Sequence, residues 1–108
     1  MARTYDERTA EKMAVYTQHI GAMTGAKGII TKNLLRDYCR IEVQLEDVNA
    51  AIEKTGFTIE NRQGNIVRNP DLMTQHQLIN EKNALFSKLV KHLPEDKADA
   101  LGDFVFGK

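Results

Sequence analysis

The 108-residue sequence has no Trp, one Cys, two Pro and 6% aromatic residues, and its 15 Lys and Arg are balanced by 15 Asp and Glu. Each scarcity excludes something. A lone Cys39 forms no internal disulfide and no multi-thiolate zinc site, so the expected compartment is the reducing cytoplasm. With no base in evidence to activate it, Cys39 reads as a small packing residue. His19, His76 and His92 are too far apart to pair as i, i+4 ligands, and neither a metal nor any cofactor is expected. No apolar run approaches the ~20 residues that cross a bilayer, and Met1 to Arg8 lacks the apolar stretch of a signal peptide, so no membrane partner is expected. What is left is one small domain whose limited core makes association with other chains the expectation.

The absence of net charge conceals an uneven distribution. Residues 1–36 hold six basic side chains (Arg3, Arg8, Lys12, Lys27, Lys32 and Arg36) against three acidic ones. Residues 37–56 reverse this, with two basic against five acidic; residues 57–91 have five against three, and residues 92–108 two against four. The basic excess therefore lies at the N-terminal end. Affinity for DNA comes largely from neutralising phosphates, which makes those six residues the candidate DNA-contacting set, with ordinary solubilising charge as the alternative. Arg62 and Arg68 form a weaker second set.

Helical periodicity dominates the pattern. Met13, Tyr16, Ile20 and Met23 recur at steps of three and four, predicting a short helix that Gly25-Ala26-Lys27-Gly28 ends in a turn. Thr31 or Asn33 then caps a helix of about 22 residues, roughly 33 Å long, whose seam is Leu34, Tyr38, Ile41, Leu45, Val48 and Ile52. Leu35, Val43, Ala50 and Ala51 lie off that seam and predict a second face for a neighbouring subunit. Gly56 stops the helix. Phe57-Thr58-Ile59 and Ile66-Val67 flank the turn formers Asn61 to Asn65 and predict a small hairpin. Asn69-Pro70 reads as N-cap and first helical position of a second long helix, with a stripe at Leu72, His76, Ile79, Asn83, Phe86, Val90 and Leu93, widened by Leu78, Leu85 and Leu89 and ended by Pro94. Beyond it, a short acidic helix to about Leu101 precedes Gly102 and an apolar tail, Phe104-Val105-Phe106, that either docks locally or binds a partner.

The expected fold is mainly all-α: an antiparallel pair of long helices joined by a small β-hairpin, with a short helix at each end. Residues 1–29 form the N-terminal helix and turn, 30–94 the helical hairpin for oligomerisation, and 95–108 the acidic C-terminal segment. The oligomerisation or core seam comprises Leu34, Tyr38, Ile41, Leu45, Val48, Ile52, Ile79, Phe86 and Val90. His76 and Asn83 are polar positions on a seam, which more often set register than bind a ligand.

No catalytic constellation emerges. Gly21 to Gly28 lacks the spacing of a phosphate-binding loop. Glu42 with Glu46, and Asp96, Asp99 and Asp103, are carboxylate rows at helical spacing, better read as solvated or subunit-facing charge than as a metal centre. No enzyme is expected.

From about Ile30 to Pro94 the chain resembles the P27 family of phage terminase small subunits. The features that carry the likeness, in order, are Leu35 with Tyr38-Cys39, Gly56, Gly64 in the hairpin, Asn69-Pro70 and Leu93-Pro94. The resemblance implies a homo-oligomeric, ring-forming protein that binds double-stranded viral DNA at its packaging start. It also implies delivery of that DNA to the large terminase subunit, which carries the ATPase and nuclease activities; Phe104, Val105 and Phe106 are the candidate residues for that contact. Two alternatives stay open: a small-subunit-like protein of a satellite or prophage element that joins another small terminase subunit and redirects packaging, and a helical structural adaptor.

Overall fold

The computed structural model describes residues 4–21 and 25–107, the side chains of 25–27 excepted. Among them the order is α1 (Tyr5–Ile20), α2 (Gly25–Thr55), β1 (Thr58–Glu60), β2 (Ile66–Arg68), α3 (Asp71–His92) and α4 (Glu95–Phe106). The helical hairpin with its small sheet and its two shorter terminal helices is the expected architecture, with three differences of extent and facing.

The first concerns where α2 begins. Gly25 to Gly28 is helix rather than turn, and Thr31 is a buried residue inside α2, not its cap. Gly25 is the first residue of α2, and Gly28 costs about 1 kcal/mol in the helix interior, an amount that tertiary packing offsets; Gly28 is itself buried. The chain breaks earlier, at Gly21, whose φ of 88° takes a conformation open mainly to glycine. At 31 residues, α2 is about 47 Å long, roughly 40% longer than the seam alone predicts.

The α2–α3 pairing is antiparallel, because its contacts run in opposite directions along the two helices. Asn69 Nδ2 donates to Thr55 Oγ1 (2.9 Å), Gln75 Nε2 to Asn49 Oδ1 (2.7 Å), Lys82 approaches Glu42 (3.8 Å), and the rings of Phe86 and Tyr38 lie 6.1 Å apart. The turn that reverses the chain is the hairpin, with Ile59 paired to Val67. Asn61 Oδ1 accepts the Gln63 and Asn65 N–H groups to hold its loop. Asn69 begins α3 as the sequence predicts: its Oδ1 accepts the Asp71 N–H at 3.0 Å.

The second difference is the facing of α3. Leu89 and Leu93 are buried and Leu78 and Leu85 half-buried, whereas Ile79 and Val90, assigned to the seam, are exposed, as are His76 and Asn83. α3 is apolar over an arc wider than α2 covers, and the widening leucines, with Phe86 and Leu93 of the stripe, take the inner side while its other edge stays exposed. On α2 the seam residues Tyr38, Ile41, Leu45 and Ile52 are buried, with Leu34 and Val48 half-buried. The off-seam residues Leu35 and Val43 are fully buried within this same chain, so they offer no face to a neighbouring subunit.

The third difference is α4. Gly102 does not stop it; the helix runs to Phe106, and the Phe-Val-Phe sequence is its last turn rather than a tail. Leu101 is fully buried, Phe104 packs edge-on to Tyr16 (4.9 Å) and stacks on His19 (4.1 Å), and Val105 also lies against the core. Lys97 Nζ donates to Ile20 O (2.8 Å), placing a cation at the negative end of α1. The core thus sits at the end away from the hairpin, where Tyr16, Ile20, Leu35, Tyr38, Cys39, Leu89, Leu93 and Leu101 meet.

Candidate nucleic-acid interface

The structure divides the six basic candidates. Arg3 lies outside the described residues, as does the side chain of Lys27. Arg8 and Lys12, on α1, face the acidic stretch of α2. Arg8 makes a two-pronged contact with Asp47 (2.9 and 3.0 Å) and lies 3.6 Å from Glu46, to which Lys12 also pairs at 3.1 Å. The basic excess of the first segment and the acidic excess of the second therefore cancel in part against each other. These two cations fasten α1 to α2.

Lys32 and Arg36 differ. Both are exposed on α2, and neither makes an ion pair among the described residues; Arg36 donates only to its neighbour Asn33 (3.3 Å). One turn further along stands Arg40, exposed and absent from the sequence-based set. It touches Asp6 at the limit of an ion pair (3.9 Å) and lies over the Tyr5 ring (5.7 Å). Arg36 and Arg40 line a shallow cleft of about 160 Å³ with Asp6, Thr9, Ala10 and Met13 of α1. Lys32, Arg36 and Arg40 follow the i, i+4, i+8 spacing that makes one row on a helix, a signal present in the sequence but obscured by the acidic count of residues 37–56.

A larger open cleft of about 380 Å³ lies between α1, α2 and α4, lined by Arg8, Glu11, Lys12, Val15, Tyr16, Glu42, Glu46 and Phe104. Its mixed charge suits neither phosphate nor a catalytic pocket. At its floor the Tyr16 hydroxyl donates to Glu42 Oε1, and Glu42 pairs with Lys82 of α3, which in turn lies over the Tyr38 ring (5.7 Å). One carboxylate thereby joins three helices. Burial, followed by the bond to Glu42, raises the Tyr16 hydroxyl well above the usual phenol range. Burial and then the Glu42 charge push Tyr38 up to about 12. The same two causes, in the same order, push the Cys39 thiol up to about 12. A thiol so protonated is no nucleophile, and the arrangement serves packing.

Among the described residues no group of three or more His, Cys, Asp or Glu is placed to hold a metal ion, and no helix is long and apolar enough to cross a membrane. Of the candidate partner-binding residues, Phe104 and Val105 are half-buried against the core, and Phe106 alone is largely exposed.

Comparison with known proteins gives one family. The model of the family described as phage terminase, small subunit, matches residues 10–90, three quarters of the chain, including all of α2, the hairpin and most of α3. No curated protein and no solved structure matches the chain.

Proposed function

This chain belongs to the phage terminase small subunit family, and from that premise we propose that it is a non-catalytic DNA-packaging component. It assembles with copies of itself in the host cytoplasm, holds double-stranded viral DNA and presents it to the large terminase subunit. Family membership carries the packaging role. The row Lys32, Arg36 and Arg40 supports the choice of DNA-contacting surface, because its first two cations have no carboxylate partner among the described residues and the third has only a distant one. Arg8 and Lys12, held by Glu46 and Asp47, have little charge left to offer phosphate.

Self-assembly is supported by surface area. The chain exposes 7576 Å², whereas a globular monomer of 12.2 kDa exposes roughly 6,100 Å². The excess of about 1,500 Å² is comparable to two ordinary interface halves of about 800 Å² each. In an assembly the basic row repeats, and weak single sites combine.

The test is DNA binding across a salt series. Binding of a duplex should weaken steeply with salt, and the triple variant Lys32→Ala, Arg36→Ala, Arg40→Ala should lose at least tenfold in affinity, the salt slope falling by about 0.9 for each phosphate contact removed. The charge-matched control Lys54→Ala, Lys88→Ala, Lys91→Ala, which removes three exposed cations elsewhere, should bind as the parent protein does. Equal binding by the triple variant and the control would remove this surface from the proposal.

A further inference from the structure

Cations alone hold DNA without regard to its sequence, because phosphate is the same at every step. The row Lys32, Arg36 and Arg40 stands among side chains of other chemistry. Ile29, Asn33, Arg36 and Arg40 recur by four, three and four, which sets them in one stripe along α2, with Lys32 on one flank and Asp37 on the other. All six are exposed. Ile29 is an aliphatic side chain left 65% exposed one turn before Asn33, on the side of α2 turned away from the buried Leu35, Tyr38 and Val43. A surface for phosphate alone gains nothing from it. Asp37 repels phosphate, so a duplex backbone approaches the stripe from the Lys32 side.

The stripe has the chemistry and the length of a base-reading surface. In the major groove a thymine methyl offers itself to an aliphatic group, adenine presents a donor and an acceptor to an amide, and guanine presents two acceptors to a guanidinium. Ile29, Asn33 and Arg36 supply those three groups in turn. Arg36 donates to Asn33 Oδ1 (3.3 Å), so the two polar heads lie side by side. From Arg40 onward α1 lies against α2: the Tyr5 hydroxyl donates to Arg40 O (3.2 Å), and Arg8 pairs with Asp47. The length free to enter a groove therefore runs from Ile29 to Arg36, about 10 Å of helix, the rise of about three base pairs. Arg40 stands where α1 stops deeper entry, at the level of the backbone.

We propose that the first half of α2 lies in the major groove of a duplex, where Ile29, Asn33 and Arg36 read base edges while Lys32 and Arg40 hold the flanking phosphates. This inference rests on the DNA-binding reading and separates the side chains that choose a sequence from those that only hold it.

Selection from a pool of randomised duplexes, with circular dichroism as the check on folding, tests it. The parent protein should enrich a motif of about three base pairs that contains guanine, and bind it about tenfold more tightly than a scrambled duplex. Ile29→Ala and Asn33→Ala should each lose most of that preference while binding the scrambled duplex as the parent does. Lys32→Ala and Arg40→Ala should weaken binding to both duplexes equally and keep the preference. Replacing the motif's guanine by 7-deazaguanine, which removes only a major-groove acceptor, should weaken the parent severalfold and leave Arg36→Ala unmoved. If Ile29→Ala or Asn33→Ala fails to fold, the 7-deazaguanine duplex, which leaves the protein unaltered, decides. A parent protein that binds no duplex overturns the DNA-binding reading and this inference together. Binding without an enriched motif, a motif lacking guanine, a preference that survives both Ile29→Ala and Asn33→Ala, or indifference to 7-deazaguanine overturns base reading alone and leaves the basic row as a phosphate-holding surface.

Discussion

Asn69 shows how much one side chain carries where helix, hairpin and helix meet. Its Oδ1 caps α3, its Nδ2 donates to Thr55 Oγ1 and to Gly56 O (2.8 Å), and its own N–H reaches Phe57 O (2.8 Å). It is buried, so removing the amide strands the Gly56 carbonyl and the Asp71 N–H where water replaces their partners poorly. Asn69→Ala should therefore cost about 2 kcal/mol, beyond the ~1 kcal/mol of an ordinary cap, and Asn69→Asp, which keeps only the acceptor, should fall between the two. Urea unfolding read by helical signal checks this, with the midpoint moved and the slope retained. The cap was legible in the sequence, because Asn-Pro before a helical stripe has a local meaning. The tie to Thr55 and Gly56 was not, since it depends on where another helix ends. Arg8 and Lys12 illustrate the same limit: as cations they fitted a DNA surface, and only the placement of Glu46 and Asp47 across from them shows their part in holding α1 to α2.

At the scale of elements, the residues that misled were glycines and an over-wide apolar arc. Gly25 and Gly28 punctuate the sequence but not the helix, and Gly102 interrupts an apolar pattern without ending α4. Propensity is a local quantity of about 1 kcal/mol per glycine, small against the ~1.5–3 kcal/mol gained by burying one leucine. α4 makes the comparison testable. Its hold on the core is Leu101, fully buried, and Phe104, set between Tyr16 and His19. Leu101→Ala should destabilise the chain by about 3 kcal/mol, while Asp99→Ala on the exposed side should change stability by less than about 0.5 kcal/mol. Denaturant titration distinguishes the two. Near-equal effects would mean that α4 is a detachable appendage rather than the fourth wall of the core. On α2 the seam residues Tyr38, Ile41, Leu45 and Ile52 do face inward, but Leu35 and Val43 off that seam are buried too, because α1 packs on α2 as well as α3. On α3 the periodicity admitted two inner faces, and it is the partner helix that selects between them.

The whole molecule is a rod. Its extents are 56 × 32 × 26 Å and its radius of gyration 16.8 Å, against about 13 Å for a compact domain of this length. Elongation follows from a 31-residue helix in a 108-residue chain: the end near α1 and α4 is packed from several sides, and the hairpin end is only two helices thick. Phe57 and Ile66 are exposed there. Such a protomer gains stability from neighbours, and linkage makes that gain measurable. If folding and association are coupled, a tenfold rise in protein concentration stabilises a dimer by about 1.4 kcal/mol, and Tm rises by about 3 °C. Scanning calorimetry over two decades of concentration should therefore show Tm climbing by about 6 °C. A Tm independent of concentration in the parent protein would mean that the rod is stable alone and that its excess surface is matched to a partner other than itself.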